Sequence, residues 1–170
     1  MSDEIMNVSQ NGTFSAPKPD MEPVLGRADH RLDPKKRFTI PADWFERMGR
    51  PAKIYVMPSL SKRPCLEVFS PAEFDRRMAP FRQKALSDAG AASFTSRIGE
   101  HVDSVSVDTQ NRVRVKDSHL AFAQIKREDV VLIGAGNRFE VWSIENRPKL
   151  DGAESESISR LADDAAKFSF

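Results

Sequence analysis

Leu32-Asp33-Pro34-Lys35-Lys36-Arg37-Phe38-Thr39-Ile40-Pro41 decides how this chain is read. An Asp and an Arg stand four residues apart around a cationic turn; alternating apolar residues follow and stop at a proline. Val107-Asp108-Thr109-Gln110-Asn111-Arg112-Val113-Arg114-Val115 repeats that grammar at an offset of 75. Glu67-Val68-Phe69-Ser70 then matches Glu140-Val141-Trp142-Ser143 at an offset of 73. Two matches in the same order, separated by a two-residue loop change, point to an internal duplication.

Outward from the first motif, residues 27–32 form a lead-in strand and Phe38-Thr39-Ile40 alternates at period two, ending at Pro41. Asp43 is the expected N-cap of a short helix, Trp44 to Met48, stopped by Gly49. Strands are expected at Ile54–Met57 and Cys65–Phe69. Ser70-Pro71-x-Glu73 then opens a helix as a capping box. Apolar residues recur at near-helical spacing from Phe74 to Ile98, with breaks expected at Pro80 and Gly90. In the second copy, strands are expected at Val105–Val107, Val113–Val115, Val130–Ile133 and Phe139–Trp142. A short helix capped by Asp117 or Ser118 is expected between the second and third of them. Gly134 to Asn137 reads as a hairpin turn rather than a phosphate cradle, because no helix follows it. A weak helix is expected around Ile158 to Ala166.

The 170 residues are 39% hydrophobic and 30% charged, enough for one modest core. No run approaches the length of a membrane span, and the N-terminus carries no signal-peptide pattern. A single cysteine, Cys65, rules out an internal disulfide. The net charge of +1 conceals a division: residues 1–23 and 151–170 each carry −3, so the interior carries +7. A basic body between acidic ends suits an anionic partner.

Within each motif the Asp and Arg can pair across the turn, at the base of a hairpin between the flanking strands, and fix the guanidinium in place. The residue before each Arg needs to tolerate positive φ, which suits Asn111 and suits Lys36 less well. Such a geometry leaves Lys35, Lys36 and Arg37 on one projecting edge and Asn111, Arg112 and Arg114 on its counterpart, with Asp33 and Asp108 in the structural role. Trp44, Phe69, Phe139 and Trp142 fall on strand and helix faces and are expected to pack internally.

The segments LDPKKRFTIP, DTQNRVRV and VVLIGAGNRFEVWS resemble the MraZ family of bacterial regulators, over about Val24 to Pro148. The resemblance implies a mostly β, α+β fold: a duplicated AbrB/SpoVT-like swapped-hairpin (double-psi-like) β-barrel with short helices. It divides the chain into a disordered N-terminal arm (1–23), a first repeat (24–80), a helical connector (81–99), a second repeat (100–148) and an acidic C-terminal tail (149–170). It further implies a cytoplasmic, nucleoid-associated homo-oligomer, shaped as a ring. That ring binds short direct repeats in double-stranded promoter DNA and represses its own division and cell-wall operon. Carried over by position, the DNA-binding residues are Lys35, Lys36, Arg37, Asn111, Arg112 and Arg114. This chain departs from the family pattern in having Lys36 and Asn111 where glycine is usual, and Val115-Lys116 where Ile-Pro is usual.

The rival readings are an enzyme and an oligomeric scaffold of the same fold that has lost specific DNA binding. His30, His101 and His119 show no metal-ligand spacing and the carboxylates fall in no catalytic frame. No catalytic residue, metal, cofactor, small-molecule substrate or membrane is therefore expected.

Overall fold

In the computed structural model residues 22–148 and 154–169 are described. Most of the expected N-terminal arm, residues 149–153 and Phe170 lie outside them. The element order is β1 Arg27–Arg31, β2 Arg37–Thr39, α1 Ala42–Arg47, β3 Lys53–Pro58, β4 Cys65–Phe69, α2 Pro71–Ala85 and α3 Ala89–His101 in the first part. Then come β5 Asp103–Ser106, β6 Arg112–Arg114, α4 Asp117–Phe122, β7 Asp129–Gly134, β8 Phe139–Ser143 and α5 Glu154–Lys167. The fold is α+β, with β-sheet at its centre and short helices around it.

Six strands form one antiparallel sheet in the order β1-β7-β8-β4-β3-β5, while β2 and β6 pair separately. The order is symmetric about the β8–β4 junction. The lead-in strand of each half pairs with the outer hairpin strand of the other half, β1 with β7 and β5 with β3. The short strand after each motif likewise pairs across halves. One core results, drawing Phe38, Leu66 and Val68 from the first half and Val113, Phe139 and Val141 from the second. Phe38 meets Phe139 edge to face, with ring centroids 5.9 Å apart, and Trp44 packs on the same ring at 5.5 Å while its indole N–H donates to the Leu25 carbonyl. The four aromatic residues expected inside are all buried.

β4 and β8 are buried along both faces. One face feeds the core. The other carries Cys65, Glu67 and Phe69 beside Glu140 and Trp142, with Glu67 and Glu140 directly opposite in the register. Two facing carboxylates repel unless bridged. Here the Arg138 Nε donates to Glu67 at 3.0 Å, and Arg63 donates to both oxygens of Glu140 while its guanidinium lies over the Trp142 ring. Burial, and next the Glu140 charge, push the Cys65 thiol up to about 11, so it stays protonated. At the β7–β8 turn, as expected, the chain reverses, closed by the Ala135 N–H donating to the Arg138 carbonyl. Gly134 is required there: a Cβ would stand 2.6 Å from the Val24 carbonyl oxygen.

Four expectations need correcting. The strands flanking the motif turns do not form hairpins, because each continues into a different sheet after a single closing pair of bonds. The short helices start earlier than read. The Pro41 and Lys116 carbonyls already accept the first helical bonds, so these residues are the N-caps; Asp43 lies within the first turn of α1 and Asp117 opens α4. Pro80 does not break α2, which runs on to Ala85 while Phe81 packs against Phe94 of α3 at 4.8 Å. Gly90 lies in the first turn of α3 rather than at a break: the helices part at Leu86, and the Asp88 carboxylate accepts the Ala91 N–H to start the second.

Candidate nucleic-acid interface

The two motif turns have the same bonding. The Asp33 carboxylate accepts the N–H groups of Lys35 and Arg37, each at 2.9 Å, and the Arg37 Nε at 2.6 Å. Asp108 accepts the N–H groups of Gln110 and Arg112, at 2.9 and 2.8 Å, and the Arg112 Nε at 2.7 Å. Desolvation alone would raise the Asp33 carboxyl. The Arg37 amide and guanidinium and the Lys35 amide together outweigh it and hold the group below the ordinary carboxylate range. For Asp108 the Arg112 amide is the largest single cause, joined by the Arg112 guanidinium and the Gln110 amide against desolvation. Lys36 and Asn111 sit at φ of 58° and 59°, the left-handed conformation that the turn demands.

The turns converge because β2 and β6 pair antiparallel, Arg37 opposite Arg114, Phe38 opposite Val113 and Thr39 opposite Arg112. Strand alternation points Phe38 and Val113 into the core, where both are fully buried. Arg37, Thr39, Arg112 and Arg114 therefore share the outward face of a two-stranded ribbon, with Lys35 and Asn111 on the turns at its ends. The motifs also touch each other, Arg37 Nη1 lying 3.7 Å from Asp108 Oδ2. Like charges held opposite each other, as Arg37 and Arg114 are, cost stability in a free protein. An anion laid along the ribbon would relieve that repulsion.

The expected residues do not stand alike. Arg37 and Arg112 are half-buried, each with its Nε bound to its own Asp. Lys36 reaches Asp117 across the halves, at 2.5 Å. Arg114 is exposed. The sequence reading missed Asp117, which lies 81 residues from Lys36 and carries no local signal. It also missed His30, whose Nε2 accepts the Thr39 N–H at 3.0 Å and so anchors the start of the ribbon. Among the described residues no cluster of three or more His, Cys, Asp or Glu could hold a metal ion.

Lys36→Gly removes a strained left-handed conformation and an exposed ion pair. The first outweighs the second, so the urea midpoint rises, by a gain of up to about 1 kcal/mol. Asn111→Gly changes stability less, because asparagine tolerates the conformation. Equal effects at the two positions would contradict this account.

Burial holds the His30 imidazole below its ordinary value, against a partial pull upward from Asp33. Burial lowers His119 likewise, against its bond to the His101 carbonyl; its Nδ1 has no hydrogen-bond partner among the described residues. A histidine whose folded pKa is depressed gives its full stability above its unfolded value, about 6.5, and loses it as pH falls through the folded value. Urea midpoints should thus stay flat from about pH 8 to 7 and decline below about 6.5. The His30→Gln/His119→Gln variant should lack that decline.

A protein-family model described as "MraZ protein, putative antitoxin-like" matches residues 100–168, the second half and α5. A curated protein of Oleidesulfovibrio alaskensis, called transcriptional regulator MraZ, is 29% identical over 149 residues, 84% of this chain and 96% of its own length. Those of Heliobacterium modesticaldum and Thermobifida fusca carry the same name. They are 28% and 29% identical and cover 85% and 82% of the chain, and 97% and 94% of themselves. The chain is similar to the MraZ family. These alignments span nearly the whole length of the MraZ relatives, so the chain is similar to them as whole proteins and not as a shared fragment.

Proposed function

We propose that this protein is a member of the MraZ family and a sequence-specific DNA-binding transcriptional regulator that uses the β2–β6 ribbon as its reading edge. The name shared by its relatives supports transcriptional regulation; the opposed arginines on the ribbon support the edge. A two-stranded ribbon fits the major groove of duplex DNA, where an arginine fork matches the O6 and N7 acceptors of guanine. Arg37 and Arg112, steered by Asp33 and Asp108, are assigned to base edges. Lys35, Lys36 and Arg114 are assigned to phosphates, and Asn111 to the turn beside them. In this reading the two halves are repeats that jointly build one edge, and the helices between them are a connector. A homo-oligomeric ring repeats the edge at fixed spacing, so modest contacts add by multivalency on short direct repeats in the promoter of its own division and cell-wall operon.

Phosphate contacts release counterions, so each one lost flattens the salt dependence. Arg114→Ala and Lys35→Ala should each weaken binding to the operon's upstream region at all sequences. Each should also reduce the slope of log K against log salt by about one. Slopes equal to the wild type in folded variants would remove these residues from the interface.

A further inference from the structure

Among the described residues nothing covers the apolar face of α5. Ile158, Leu161 and Ala165 recur along one side at the i, i+3, i+7 spacing of a groove-binding helix, and Phe168 follows in the turn just after its end. Ile158 is 59%, Leu161 68% and Phe168 82% exposed. The body holds the matching shape. Met57, Leu60, Phe81, Phe94, Ile98 and Phe122 line two joined hollows of about 430 and 410 Å³ between the β3–β4 turn and the α2–α3 pair. Leu60 is 60% exposed at the bottom of the groove wall, and Phe81 and Phe122 are each 42% exposed. The charges are complementary. Arg97 and Arg77 border the groove along with His101 and one acid, Glu67, whereas α5 carries Glu156, Asp163 and Asp164 against Arg160 and Lys167.

We infer that α5 of one copy docks in this groove of a second copy. Helix and groove are different surfaces of one chain; passed head to tail rather than exchanged reciprocally in a closed dimer, the contact is heterologous and leaves each added copy with a free groove or a free helix. A heterologous contact closes into a ring or runs on as a filament. The inference deepens the proposed assembly by naming its joint, and it requires nothing of the ribbon.

The test uses full-length chains with surface substitutions. Leu161→Asp with Phe168→Asp disables the helix, and Leu60→Asp with Phe122→Asp disables the groove. Each variant alone should sediment as a monomer, with assembly weakened at least about tenfold. Mixed, the two variants should form a heterodimer, because one complementary helix and groove remain. Variants that keep the wild-type size, or a mixture that stays monomeric, would overturn the inference. A second arm uses Leu60→Cys with Leu161→Cys, since Cys65 is buried. On oxidation, a ladder of linked copies supports docking between copies; linkage confined to monomers refutes it. Binding of the monomeric variants to a single short DNA site, followed by fluorescence anisotropy, reports on the ribbon separately.

Discussion

Glu140→Ala should cost about 3 kcal/mol, a large share of the roughly 5–15 kcal/mol that holds a domain folded. Glu140 is 4% exposed and lies opposite Glu67, which is 9% exposed, at the axis of the six-stranded sheet. It accepts from both arms of Arg63 and from the Trp142 indole N–H, and Arg138 Nη2 lies 3.8 Å away. Truncation leaves two guanidinium groups to share one carboxylate and strands the indole N–H. Relief of the Glu67 repulsion and the partial exposure of Arg63 place the loss at the low end of the range for a broken buried pair. Glu140→Gln keeps an acceptor and should lose about half as much. Urea unfolding followed by tryptophan fluorescence checks both. An alanine variant within about 0.5 kcal/mol of wild type would show that the network contributes little.

On the proposed assignment of the ribbon to DNA, the double variant Arg37→Ala/Arg112→Ala should lose at least about 100-fold in affinity for the proposed promoter site. That corresponds to two guanine contacts worth about 1–3 kcal/mol each. The loss should also exceed what two charges alone explain, because Asp33 and Asp108 would then face the phosphates without their partners. Arg37→Lys/Arg112→Lys separates the effects: lysine keeps the charge but not the fork, so non-specific binding recovers while discrimination between sites does not. Stability should fall only modestly, since both pairs are partly exposed. A folded double-alanine variant with unchanged affinity would sink the assignment.

Much of this molecule is legible locally. Period-two alternation placed Cys65–Phe69 to the residue, and the other seven strands within about two residues at each end. The repeated Asp and Arg correctly implied two equivalent turns, because that bonding lies within five consecutive residues. What could not be read depends on distant partners. Nothing near Arg27–Arg31 indicates that it pairs with Asp129–Gly134, and the motif turns looked like hairpins for that reason. The stretch Asn137-Arg138-Phe139-Glu140 marked the resemblance, but its place in an ion network with Arg63, Glu67 and Glu73 depends on residues 64 to 77 positions away. Pro80 was misread because tertiary packing against α3 overrides the local penalty of an interior proline.

The cross-pairing of β2 with β6 has one more consequence. Two identical chains paired this way would present a surface that looks the same after half a turn, and would meet DNA equally well in either direction. A single chain has freed its two halves to differ. Lys35-Lys36 stands at one end of the ribbon and Gln110-Asn111 at the other, and among the described residues only the first reaches across to a carboxylate on the opposite half. The edge therefore has a polarity. Copies joined head to tail would all point it the same way, and the sites they fit would run in one direction instead of mirroring each other.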